Sequence, residues 1–325
     1  MTLAVIADQF GPPETYSLRE IELREPAPGE VRIAIKAAGI SFVDVLTAGG
    51  GYQVKPPLPF VPGSEAAGLV TATGSADCGF AAGDRVVCSG WGGMFATDAV
   101  LPAAAVRMLP AALDFSEGAV FPVSYATAWH ALVDRARLAR GETLLVLGAG
   151  GATGYAAVQV GKHLGATVVG SASIPEKRAL ALSGGADAVV DPNDSDWREA
   201  VRTAAGGRAV DVVFDPVGGA ATEPAFRSLG WGGRHLVVGF PAGMTALRTN
   251  LALIKGASLV GVDIRQFGQF EPNRAEANRN TVFALAADGV LRPPIASRYP
   301  LAQFAAAMNE AAAGATAGRV VLTME

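Results

Sequence analysis

The chain has 325 residues, enough for two domains or for one domain interrupted by another. Half of the residues are apolar and only 17% are charged, which excludes a disordered chain, and a formal net charge of −4 argues against a nucleic-acid binder with its basic footprint. No apolar run approaches the roughly 20 residues of a membrane span. Cys78 and Cys88 make neither a disulfide framework nor a four-cysteine zinc lobe. The opening segment MTLAVIADQF lacks the positive charge of a secretory leader, so a reduced, cytoplasmic setting is expected.

Up to Pro122 the chain is rich in short β patterns. VRIAIKA (31–37) alternates, AAGLVTATG (66–74) follows a Pro-Gly pair, and GDRVVCSG (83–90) and MFATDAVL (94–101) come next. Short strands with turn signals predict a barrel-like or sandwich-like β unit. At Ser116, read as a helix N-cap, the rhythm turns helical, with Pro122 as a break or kink. Six strand patterns follow: TLLVLG (143–148), TVVGSA (167–172), AVV (188–190), VDVVFD (210–215), RHLVVGF (234–240) and SLVGVD (258–263). Helical patterns at 153–164, 175–182, 196–204 and 222–228 separate most of them. Val/Leu strands alternating with amphipathic helices predict a doubly wound parallel sheet of the dinucleotide-binding kind. Beyond Asp263 come a polar segment, RQFGQFEPNRAEANRN, a helix ending near Gly289, the helix LAQFAAAMNEAAA and a closing strand, GRVVLTM. These are thin for a domain of their own. The expected organisation is therefore one domain of 1–122 and 266–325 around an inserted domain of 123–265.

The first strand of the series runs into LGAGGATGY (147–155), whose glycines at 148, 151 and 154 do not fit G-x-G-x-x-G, and Gly150 is extra. A strand-to-helix turn of small residues still lets backbone N–H groups approach a pyrophosphate, so Gly148, Gly151, Ala152, Thr153 and Gly154 are expected to hold a dinucleotide. The second strand ends in Gly170, Ser171, Ala172 and Ser173, with no acid to grip a ribose 2′-hydroxyl. Lys177 and Arg178 follow, cations that a 2′-phosphate would use, so NADP is favoured; the alternative is a solvated helix face. His130, His163 and His235 are scattered and are read as structural, leaving no metal site.

The motifs GISFVDVLTAGGGY (39–52), PPLPFVPGSEAAGLV (56–70), SYATAWHAL (124–132), LGAGGATGYAAVQVGKHLGATVV (147–169), SIPEKRALALSGGADAVVD (173–191), VDVVFDPVGG (210–219), WGGRHLVVGF (231–240), NLALIKGASLVGV (250–262) and GRVVL (318–322) cover nearly the whole chain. In them the sequence resembles the zinc-free quinone oxidoreductases of the medium-chain dehydrogenase/reductase superfamily, the group that includes zeta-crystallin. The resemblance implies an α/β architecture, a GroES-like β-rich domain with an inserted Rossmann domain, and a cofactor loop one residue longer than in the zinc alcohol dehydrogenases. It implies NADPH as cofactor, a small quinone or enone as substrate, and a homodimer formed through edge strands, here SLVGVD. Zinc members of the superfamily place cysteine where this chain has Ser41 and histidine where it has Ser64, beside Glu65; hydroxyls are poor zinc ligands.

By the same resemblance Ser41, Asp44 and Tyr52 line the substrate site, with Thr127 and Tyr125 from one helix and Phe240 from the end of the fifth strand. Tyr52 is the first candidate hydrogen-bond donor and Ser41 the second. Asn250, Lys255 and Arg319 match positions near the cofactor. Plainer readings stand beside these: Tyr52 as an apolar anchor, Asp44 as a helix-capping carboxylate, Thr127 and Phe240 as packing, Lys255 and Arg319 as surface charges. The family often has asparagine at position 41 and tyrosine at position 192, where this chain has Ser41 and Pro192. An enoyl or enone reductase, and a non-catalytic nucleotide-binding or RNA-binding relative, are the alternative functions.

Overall fold

A computed structural model describes residues 1–324, which divide into two compact units: Met1–Val123 with the segment from Arg292 onward, and Ser124–Leu291.

The first unit is built on a seven-stranded sheet. Its order runs Ile295–Pro300, Arg319–Thr323, Glu30–Gly39, Glu65–Thr73, Arg85–Ser89 and Val106–Met108, and Asp98–Pro102 pairs off this path with Glu30–Gly39. The alternation read in VRIAIKA is the physical pleat: Val31, Ile33 and Ile35 are buried, Arg32 and Ala34 between them are half-exposed, and Lys36 is exposed. They pack with Val70, Val86, Cys88, Phe95 and Leu322 in one core. Arg319–Thr323 pairs antiparallel with Glu30–Gly39, so the returning chain completes this sheet. A separate hairpin joins Thr2–Ile6 and Ser17–Ile21.

Helix Phe115–Gly118 is capped by Asp114, not by Ser116. The Asp114 carboxylate accepts the Glu117 N–H at 2.7 Å and Glu117 reciprocates at 2.9 Å, a capping box that satisfies two orphan donors. The Ser116 hydroxyl instead accepts from Arg298 at 3.0 Å. Pro122 ends that stretch by starting the next helix, Pro122–Trp129, where its missing N–H costs nothing.

The second unit carries six parallel strands in the order Ala188–Val190, Thr167–Ser171, Thr143–Leu147, Val210–Asp215, Leu229–Val237 and Ser258–Gly261. In chain order this is 3-2-1-4-5-6, the doubly wound dinucleotide-binding arrangement, with Ser258–Gly261 at one edge. Its second boundary falls at Arg292, later than the expected 266. The polar segment that looked like a connection is helical, Ile264–Phe270 and then Pro272–Ala287. Two of its polar residues meet at one partly buried carboxylate: Asp134 accepts from Asn278 at 2.6 Å and Arg274 at 2.7 Å, and lies 2.8 Å from His130 Nδ1. Phe267 stacks on the His130 ring at 3.8 Å, which fastens both helices to this unit. No described helix is long and apolar enough to cross a membrane.

Candidate functional site

The nucleotide-binding unit presents its loops where the first and fourth strands diverge, the point at which an open α/β sheet takes its ligand. Thr143–Leu147 is buried throughout and ends at Gly148, whose φ of +58° favours glycine. Gly151 is the N-cap of helix Ala152–His163, and no side chain caps it, so the first-turn amides are left to an incoming anion. A Cβ at Gly154 would stand 2.1 Å from the Gly148 carbonyl oxygen, so the helix can approach the turn only as glycine. The extra Gly150 has its own reason. A Cβ there would stand 2.5 Å from Lys177 Cβ and 2.8 Å from its Cα, so Lys177 is seated directly on the lengthened loop.

A second loop faces the first from the fourth strand. Asp215 accepts N–H groups of Val217 at 2.9 Å and Gly218 at 2.8 Å, the Thr222 hydroxyl at 2.8 Å, and lies 3.0 Å from His235 Nε2. Burial pushes its carboxyl up, but these bonds outweigh burial and hold it below the ordinary aspartate range. Phe240 packs on the loop so closely that a Cβ at Gly218 would meet its Cα at 2.8 Å, and half of Phe240 stays exposed. Beside these loops lies a cavity of about 900 Å³ lined by Leu147, Gly148, Ser173, Trp197, Arg198 and Val217.

The expected cofactor residues divide. Lys177 is half-buried and desolvation lowers its pKa. Ser173 is exposed at the cavity, whereas Ser171 is 2% exposed and its hydroxyl accepts the Trp197 indole N–H at 3.3 Å. Arg178 is turned aside, donating at 2.8 Å to both Asp191 and the Ala172 carbonyl. Asn250 is exposed at the start of helix Asn250–Lys255, and Lys255 donates to the Leu229 carbonyl at 2.5 Å. Thr127 is buried, and Tyr125 is 1% exposed with its hydroxyl 2.6 Å from Gln159 Oε1. Tyr125 is thus enclosed, its phenol held by Gln159.

In the first unit Ser41 is the N-cap of helix Phe42–Ala48 and Asp44 completes the capping box. The Ser41 hydroxyl donates to Asp44 at 2.6 Å and its amide donates at 2.8 Å. Asp44 thus caps the helix, as the plainer reading has it, and fixes the Ser41 hydroxyl. Next to it Glu65 and Arg319 form a buried ion pair, 3.7 Å apart, with Glu65 also accepting the Val123 N–H at 2.8 Å. Burial pushes both carboxyls up; Ser41, Ser64 and Arg319 oppose this at Asp44, chiefly Arg319 at Glu65. Arg319 is 5% exposed, its guanidinium also donating to the Val120 and Ile40 carbonyls, so it is not a surface charge. Tyr52 is half-buried with its ring 6.4 Å from that of Trp91, which is 60% exposed. Trp91, Trp197 and Asp215 escaped the sequence reading; only Asp215, at a strand end before two glycines, carried a signal. Among the described residues no three His, Cys, Asp or Glu side chains are placed to hold a metal ion.

The fold and the glycine loop define a medium-chain dehydrogenase/reductase: a family model described as an alcohol dehydrogenase GroES-like domain matches residues 27–111, and one described as a zinc-binding dehydrogenase matches 152–278. Human quinone oxidoreductase is 32% identical to the chain, over 99% of the chain and 97% of its own length. The pikromycin polyketide synthase component PikAII of Streptomyces venezuelae is 38% identical over 91% of the chain and 8% of its own length. Among solved structures, Escherichia coli quinone oxidoreductase complexed with NADPH superposes with a TM-score of 0.89 at 28% identity, covering 99% of this chain and all of the other. The chain belongs to the quinone oxidoreductase family of these enzymes and is an oxidoreductase.

Proposed function

We propose that the enzyme reduces a quinone, or a similar electron-poor conjugated carbonyl, with NADPH and without zinc. The observation that carries this reading is Lys177 seated on the glycine loop beside a second strand that ends without an acid. The loop residues fit a dinucleotide: Gly148, Gly151, Ala152, Thr153 and Gly154 would hold the pyrophosphate, and Lys177 with Ser173 the 2′-phosphate. A bound reduced nicotinamide supplies a hydride. The protein's part is to donate a hydrogen bond where negative charge develops on the acceptor oxygen. Tyr52 is the first donor proposed and Ser41 the second, its hydroxyl oriented by Asp44. Thr127 and Phe240 shape the site, with Asn250 close to the cofactor. Hydroxyls at Ser41 and Ser64 support chemistry without a metal.

Steady-state rates with 1,4-benzoquinone and 9,10-phenanthrenequinone test this. NADPH is expected to be consumed faster than NADH, and chelators to leave the rate unchanged. Equal use of both nucleotides would overturn the reading of Ser173 and Lys177. A second reading is reduction of an α,β-unsaturated thioester or ketone, whose developing enolate the same hydrogen-bond donors would serve. Crotonyl-CoA and 2-alkenals turned over faster than quinones would select it.

A homodimer through the edge strand Ser258–Gly261 is part of the proposal. Leu253 is 82%, Ile254 67% and Leu259 53% exposed, an apolar stretch at an unpaired strand edge.

A further inference from the structure

The acid that would select NAD is missing from the second strand, yet a carboxylate stands one strand away. Val190 is in register with Ser171, and the Ala172 N–H bonds the Val190 carbonyl at 3.2 Å, so Asp191 stands level with Ala172 and Ser173. Pro192, next in sequence, lines the same cavity as Ala172 and Ser173. Asp191 thus brings negative charge to the end of the sheet where a 2′-phosphate would be held. Its carboxylate is not open: Oδ2 accepts from Arg178 at 2.8 Å, and Oδ1 accepts the Asn193 backbone N–H at 2.9 Å and its side-chain amide at 3.0 Å. The second Arg178 bond, to the Ala172 carbonyl, ties that guanidinium across the two strand ends.

We infer that Arg178 sets cofactor preference indirectly, by masking the charge of Asp191, while Lys177 is the cation that meets the 2′-phosphate. Arg178 is then a positioning and charge-neutralising residue whose removal exposes a carboxylate that repels NADPH and tolerates NADH. The sequence could not show this, because Arg178 and Asp191 meet only through the parallel register of two strands. The inference rests on the NADPH reading given above, and its test separates the two.

The measurement is the dissociation constant of the intact enzyme for NADPH and for NADH, by titration calorimetry, for wild type, Arg178→Gln, Asp191→Asn, the double variant and Lys177→Gln. Arg178→Gln is expected to lower the preference for NADPH by about twofold to fivefold, the range of a half-exposed charge pair. Adding Asp191→Asn should restore it, because the charge to be masked is gone. Asp191→Asn alone, which keeps every cation, should leave NADPH binding as tight as in wild type or tighter. Should the double variant stay as weak as Arg178→Gln, Arg178 touches the phosphate itself and the inference fails. Weaker NADPH binding in Asp191→Asn alone would also overturn it, since Asp191 would then be placing Arg178 on the phosphate. If Arg178→Gln does not fold, the Asp191→Asn arm still decides. An unchanged preference in Lys177→Gln defeats the NADPH reading instead, whatever the Arg178 variants do.

Discussion

Gly150 and Gly154 show how far single residues could be read. The spacing of 148, 151 and 154 after a buried strand suggested a nucleotide loop, but Gly150 had no reason in sequence; its reason is Lys177, 27 positions on, lying against it. Gly154→Ala or Gly150→Ala must move backbone, and each is expected to weaken NADPH binding by about tenfold or more, ~1.4 kcal/mol or more, measured by calorimetry. In SYATAWHAL every residue from Ser124 to Trp129 is buried, so its pattern could not say which side of the helix is enclosed. Burial pushes the Cys88 thiol up to about 12, first by desolvation, so little of it is thiolate near neutral pH. Iodoacetamide at pH 8 should leave Cys88 unmodified in the native protein and label it after denaturation, read by mass spectrometry.

At the level of elements, legibility followed amphipathic contrast. The helix Thr222–Ser228 falls at the bounds the pattern gave, and all six parallel strands were found. Helix Ile264–Phe270 was missed because the polar segment looked solvated, when its Phe267 is buried on His130 and Arg274 and Asn278 just beyond it meet at Asp134. The two loops of the nucleotide site differ in what holds them. The glycine loop depends on steric fit, whereas the loop after the fourth strand depends on one ionised carboxylate, Asp215. Because its folded pKa lies below the ordinary value, the stabilisation is complete above about 3.9 and is lost as pH falls through the lower folded value. Asp215→Asn should remove that acid-side dependence and lower the midpoint of thermal unfolding at pH 7. Ser41→Ala, which removes a helix cap, should cost about 1 kcal/mol in denaturant unfolding, separable from any loss of kcat.

For the whole molecule, the interrupted organisation was legible in order but not in its second boundary, since the helices that settle it do so through His130, Asp134 and Phe267. The proposed dimer makes a direct prediction: Leu259→Arg, placing charge on the exposed edge strand, should give a monomer by light scattering where wild type gives twice the chain mass. The discontinuity also orders events in time. Every strand of the parallel sheet lies within one continuous segment, so that unit has its full set of partners once residue 291 has left the ribosome. The other unit cannot close its sheet until Arg319–Thr323 arrives to pair with Glu30–Gly39, a contact spanning most of the chain. During synthesis its first strands must wait with one edge open, so the interval before Arg319–Thr323 is made is the one most exposed to chaperones.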